Sequence, residues 1–332
     1  MKNNLLQSTK TGALALAAAA LLFPSAALEA QIFVTNSDSI SEYTTSGVLV
    51  KAKLVKGLDG AEGIVASGAD LFVVNGKSGT IGEYTTSGAT INASLVSGLS
   101  SPTAIAVSGG DLFVETSTTD KKVTSYQISE YTTSGAPVVS AFGIPNGEPG
   151  VAVSGSYLYV ASYTPPTSNV DAAQNSGGAI LQYFPNGVEL SSIHTPNYNP
   201  TGVAVDSGGD VFFTAASAGG IIGEIKANST VAATLVSSLG PQSTYGPTGI
   251  AVSGGDLFVS NGATISEYTT SGATVDASLV TGLSSTGYLA VETGVADPTN
   301  VQAVPEPTTA TLFEVALVGF CAVIRPRKRA KA

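Results

Sequence analysis

Outside its last apolar segment the chain carries one histidine, His194, and no cysteine, its single cysteine being Cys321. That leaves no material for a multi-histidine metal centre or a thiol nucleophile. His194 is the one candidate for histidine acid–base work, but no Ser-His-Asp order or nucleophile elbow surrounds it. It lies in a stretch rich in Pro and Asn, which predicts a surface histidine on a connector. Carboxylates recur instead. Asp70, Asp111, Asp210 and Asp256 each follow a glycine turn, and Glu42, Glu83, Glu130 and Glu267 each recur two positions after an isoleucine. Calcium needs six to eight oxygens converging on one point. These acids sit at equivalent places in separate repeats, so the aspartates are expected to bind turn amides and the glutamates to lie between repeats. No metal or cofactor is expected.

The elements that position these residues are repeated. An apolar triplet occurs as Ile32-Phe33-Val34, Leu71-Phe72-Val73, Leu112-Phe113-Val114, Leu158-Tyr159-Val160, Val211-Phe212-Phe213 and Leu257-Phe258-Val259. A Gly-Ile-Ala-Val type strand precedes most copies, as at Pro102–Val107 and Pro247–Val252, and an Ile-Ser-Glu-Tyr type strand follows. Thr-Thr-Ser-Gly then turns the chain into a fourth strand, at 44–47, 85–88, 132–135 and 269–272. Four short strands in units of roughly 40–45 residues predict an all-β, six-bladed β-propeller of four-stranded blades. The first unit lacks its first strand, and one spare strand, Gly287–Glu292, remains at the far end. The C-terminal strand is therefore expected to complete blade one and close the ring, which removes exposed sheet edges. This pattern over residues 31–293 resembles the NHL-type propeller repeat, a family of six-bladed binding scaffolds.

Both ends read as addresses. Residues 1–30 combine Lys2 and Lys10, an Ala/Leu run and small residues at 25–27 and 30, the pattern of a secretory signal peptide. Residues 31–295 form the propeller and 296–303 a linker. Residues 304–332 begin Val304-Pro305-Glu306-Pro307, continue through an apolar stretch at 310–324, and end in a basic cluster with Arg325, Arg327, Lys328 and Arg329. Such a stretch followed by basic residues acts as a stop-transfer anchor, its charges staying cytoplasmic. The three parts in order resemble the PEP-CTERM sorting tail of Gram-negative bacteria, with Glu314 a departure from its apolar part. The resemblance implies an exosortase-type processing enzyme as partner, transient inner-membrane anchoring, cleavage near Pro-Glu-Pro, and release to the cell surface or extracellular matrix. It also implies exopolysaccharide as a neighbour.

Charge excludes one class of partner. Between residues 31 and 303 there are 7 Lys, no Arg and 21 Asp plus Glu, a net charge of −14. Such a body cannot neutralise a phosphate backbone, so nucleic acid is not a partner. The repeat is most irregular in blades three to five, with insertions at Glu115–Gln127 and Ser162–Ala179 and long links at Ala141–Pro149, Ser191–Pro200 and Leu239–Pro247. These emerge at one end of the ring, and such a face is often the binding side. Tyr126, Phe142, Tyr163, Asn169, His194, Tyr198 and Tyr245 are the residues expected to meet a glycan or surface protein there. The leading reading is a non-enzymatic binding or scaffold protein. The alternative is a lactonase-like hydrolase or a lyase with its site in the central channel. Neither the acid and amide set of gluconolactonase-like propellers nor the histidine of virginiamycin B lyase-like propellers can be placed on these residues. A channel lined by Ile, Val and Gly would favour binding.

Overall fold

A computed structural model describes residues 30–145, 147–164, 177–196, 198–216, 219–239, 246–283 and 287–292. Among them are 24 strands in six four-stranded antiparallel sheets. Blade one contains β1 (Gln31–Asn36), β2 (Ser39–Thr44) and β3 (Leu49–Lys56). Blade two contains β4 (Ala61–Ser67), β5 (Asp70–Asn75), β6 (Thr80–Thr85) and β7 (Thr90–Ser97). Blade three has β8 (Pro102–Ser108), β9 (Asp111–Asp120), β10 (Val123–Thr132) and β11 (Pro137–Ile144). Blade four has β12 (Gly147–Ser154), β13 (Tyr157–Thr164), β14 (Gly177–Tyr183) and β15 (Glu189–Pro196). Blade five has β16 (Pro200–Val205), β17 (Val211–Ala215), β18 (Ile221–Ile225) and β19 (Ala232–Val236). Blade six has β20 (Pro247–Ser253), β21 (Asp256–Asn261), β22 (Thr264–Thr269) and β23 (Thr274–Thr281). The last strand, β24 (Leu289–Glu292), pairs antiparallel with β1 and supplies the missing inner strand of blade one. The ring is a six-bladed β-propeller, closed as the spare strand predicts.

The alternation along each blade decides the packing. On second strands, Phe33, Phe72 and Phe258 point to the following blade, while Leu71, Val73 and their equivalents point back. Six hydrophobic clusters result, one at each seam between neighbouring blades. Phe33, Phe72, Phe212, Phe213 and Phe258 are fully buried, each contributing about 1.5–3 kcal/mol of apolar burial. Around the axis the inner strands approach closely. A Cβ at Gly63 would stand 2.9 Å from the Thr103 carbonyl oxygen of the next blade, so a larger residue would push the strands apart.

Two expectations need correcting. Glu115–Gln127 is not a loop but a long hairpin of β9 and β10, turned at Lys121 and Lys122, both with positive φ (46° and 75°). The chain alternates polar residues there, and the two strands pair with each other beyond the body of the sheet. His194 is likewise not on a connector. It lies within β15, exposed, opposite Ala179 of β14, because tertiary pairing overrides the loop-like flanking residues.

The third-to-fourth-strand turn of each blade meets the outer strand of the blade before it. A Cβ on Gly88 would come 2.6 Å from the Leu54 carbonyl oxygen, and on Gly135 2.5 Å from that of Leu95. Gly272 sits in the same way on Leu235, Gly47 on Leu279, and Gly187 on the Phe142 ring. Each of these glycines has φ between 80° and 93°, a left-handed conformation that a side chain would strain. They latch five of the six seams.

Candidate functional site

The seam between blades four and five lacks that latch. Its turn is Lys226-Ala227-Asn228-Ser229, in which the left-handed residue is Asn228 (φ 60°). The matching residue on the preceding outer strand, the one before the residue paired to the third-strand isoleucine, is Leu54, Leu95, Leu235 or Leu279 in four blades and Ala141 in blade three. Here it is Ser192, small and exposed, next to Ile193. The seam holds a cleft of about 490 Å³, the size of a small-molecule site.

The same seam departs from the repeat in its chemistry. In blades two, three and six, the first residue of the second strand and the glutamate of the third strand form an acidic pair: Asp70 with Glu83, Asp111 with Glu130, Asp256 with Glu267. Burial first, and then the neighbouring aspartate, pushes each of these glutamates above its ordinary carboxylate value. In blade four the corresponding residues are Tyr157 and Gln182, and Tyr159 replaces the phenylalanine between them. The Gln182 amide donates to the Tyr159 hydroxyl (3.3 Å), and Ser191 donates to the Gln182 carbonyl oxygen (2.9 Å). Tyr159 is only 9% exposed. Burial chiefly, then the phenol of Tyr157, holds its pKa above the ordinary value against the opposing Gln182 bond. Tyr157 is half-buried and braced by Phe184, with ring centroids 5.6 Å apart and tilted by 45°. Ile193, Val211 and Ile225 form the apolar floor.

Blade five keeps its acids and bridges them with one lysine. Lys226 reaches Glu224 (2.5 Å) and Asp210 (2.9 Å). Asp210 also accepts from the Ala227 amide (2.7 Å), as expected for a turn-binding aspartate. That backbone bond first, and then Lys226, lowers its pKa. Asp70, Asp111 and Asp256 instead lie beside the third-strand glutamates, where two acids share one half-buried patch. Lys226 is thus engaged by two carboxylates, and the trio keeps a net negative charge.

A recess of about 440 Å³ lies at the equivalent place between blades six and one, but it keeps the repeat's Asp256, Phe258 and Glu267. The axial channel is a further recess. It is narrow, about 60 Å³, and lined by glycines such as Gly63 and Gly150 with Ile64, Val203, Ile250 and Leu289 of the inner strands. Among the described residues no three His, Cys, Asp or Glu side chains converge to hold a metal ion.

The residues expected at the loop-rich end are spread over two seams. Tyr126 and Phe142 pack against the cluster between blades three and four, where Phe142 lies 5.3 Å from Tyr183. Tyr198 packs between blades four and five, and its hydroxyl shares a hydrogen bond with Thr234 (3.0 Å). Tyr163 is half-buried near the end of β13, opposite Gly178. Asn169, Tyr245 and the tail residues Val304, Pro305, Glu306, Pro307, Arg325, Arg327, Lys328 and Arg329 lie outside the described residues. The cleft opens at the opposite end of the ring, where the first-to-second-strand turns 154–156 and 207–209 meet. Its residues carried a signal in the chain: Tyr157, Tyr159 and Gln182 break the Asp-x-Phe and Glu pattern together, in one blade.

The fold defines a β-propeller of six blades. No protein-family model matches the chain, and no curated protein matches it. Solved structures do. The chain is similar to a propeller in the nidogen/laminin complex, with a TM-score of 0.59 and 11% identity over 79% of this chain and 98% of that one. A protein of unknown function from Bacteroides caccae gives a TM-score of 0.57 at 11% identity, again over 79% and 98%. A gluconolactonase from Xanthomonas campestris gives 0.50 at 13% identity over 68% and 76%. At these identities the likeness is one of fold.

Proposed function

We propose that this chain is an exported binding propeller that works at the surface, or in the extracellular matrix, of a Gram-negative bacterium and engages exopolysaccharide or a surface protein. The observation that carries the binding part is the lining of the cleft between blades four and five. The repeat's acidic pair is exchanged there for two tyrosines and a glutamine, around a cleft about eight times larger than the axial channel. The leader pattern at 1–30 supports export. Val304–Pro307, the apolar stretch after it and the basic end support an exosortase-type enzyme that cuts the tail from a membrane-held precursor.

The test is expression of the full chain in a Gram-negative host with and without its exosortase, and with and without its exopolysaccharide. The proposal expects a shortened protein outside the exosortase-bearing cells and a longer, membrane-held form in the deletion strain. It also expects the shortened protein to stay on polysaccharide-bearing cells and to wash off bare ones. Identical size and location in both strains would overturn the sorting part. Equal retention on coated and bare cells would overturn the polysaccharide part and leave a protein partner to be sought by crosslinking.

A further inference from the structure

Resting on that binding function, we infer that the cleft between blades four and five is a subsite for a neutral pyranose residue of a glycan chain. The ligand class follows from three features of the lining. Tyr157 offers a ring that Phe184 holds in place yet is half open to solvent, the surface on which the C–H face of a sugar stacks. The Tyr159 hydroxyl accepts from Gln182 and keeps its own hydrogen to donate, and the Gln182 amide keeps a second N–H. These donors stand over an apolar floor, so sugar hydroxyls and a C–H face are met on adjoining surfaces. The charged side chain at the rim, Lys226, is already held by Glu224 and Asp210.

That last point separates neutral sugars from uronic acids. A uronate needs an available cation, and the body around the cleft has a net charge of −14, which repels polyanions.

Two variants supply the controls. Tyr157→Ala removes the half-buried ring and leaves the rest of the lining in place. Tyr157→Asp with Gln182→Glu writes in the acidic pair of blades two, three and six. The first trims a partly solvent-facing side chain and the second follows the protein's own repeat, so both are expected to fold. The processed protein recovered from outside the cells is titrated calorimetrically with cellohexaose, mannohexaose, galactohexaose and hexagalacturonate. At least one neutral hexasaccharide is expected to bind saturably and hexagalacturonate is not. Each variant is expected to weaken that binding tenfold or more while the protein stays folded at the assay temperature. If the double variant unfolds, Tyr157→Ala decides alone. No binding by any neutral probe, preference for hexagalacturonate, or unchanged affinity in Tyr157→Ala would overturn the inference. Retention on polysaccharide-bearing cells in the face of any of those results would leave the binding function intact at another surface, whereas loss of retention removes the function itself.

Discussion

Replacing Gly135 by alanine tests whether the turn glycines latch the seams or merely relieve turn strain. Gly135 (φ 86°) and Gly110 (φ 95°) belong to the same blade and share a left-handed backbone. A Cβ on Gly110 meets nothing within 4 Å, whereas on Gly135 it stands 2.5 Å from the Leu95 carbonyl oxygen and 3.2 Å from that side chain. Both substitutions place alanine at positive φ, which costs roughly 1–2 kcal/mol. Alanine's smaller unfolded-state freedom returns about 0.4–1 kcal/mol of that. Gly110→Ala should therefore destabilise by about 1 kcal/mol. Gly135→Ala adds the displacement of backbone by an inserted carbon, roughly 1–3 kcal/mol for overpacking of this kind. The expected gap between the two is about 1–3 kcal/mol in equilibrium urea unfolding, read from the midpoints at equal slope. A gap below about 0.5 kcal/mol would refute the latch, since the two sites would then differ in nothing but local strain.

Acid should stabilise this fold before it harms it. Burial, as the largest cause, raises the pKa of Glu42, Glu62, Asp70, Glu83, Glu130, Glu267 and Glu292. A raised folded-state pKa gives stability that is complete below the unfolded value and lost as pH rises through the folded one. Asp38 and Asp210 are lowered and work in the opposite sense below the ordinary aspartate range. The melting temperature should thus rise from pH 7 toward the mildly acidic range and fall again below about pH 4. A melting temperature that climbs steadily from pH 5 to 8 would contradict this. Ser260→Ala removes the acceptor of the buried Gly249 amide bond (2.9 Å) and should cost about 1–3 kcal/mol, measured by urea unfolding. Leu289→Asp puts a carboxylate at a position 6% exposed within the closing strand. It should open the ring, seen as a larger radius of gyration in small-angle scattering.

The ring was legible because each blade repeats the same alternation, so six weak strand signals in one order reinforce each other. Closure was legible for the same reason: a strand missing before Ile32 and spare at 287–292 can be matched by pattern alone. The cleft was not. Tyr159 and Gln182 are distant in the chain, and the cleft forms only where blade four meets the turns at 207–209 and 226–229 of blade five. No local pattern encodes a contact between blades. What the chain does show is substitution against its own repeat. Leu158-Tyr159-Val160 reads as one more apolar triplet until its neighbours Tyr157 and Gln182 are set beside Asp70 and Glu83. His194 shows the reverse failure, where Pro and Asn neighbours suggest a loop and pairing with Ala179 makes a strand.

The closing strand has a mechanical consequence. Gln31 and Glu292 are register partners at the same end of blade one, so both ends of the ring leave side by side. Tension on a chain continuing from Glu292 acts across the β1–β24 ladder rather than along it. Its hydrogen bonds are then loaded one after another, beginning at Gln31–Glu292, so the strand peels like a zipper instead of resisting in shear. The four-residue β24 is the weakest point for such a pull. Any load carried by the chain beyond Glu292 would therefore open blade one first, before the other five blades felt it.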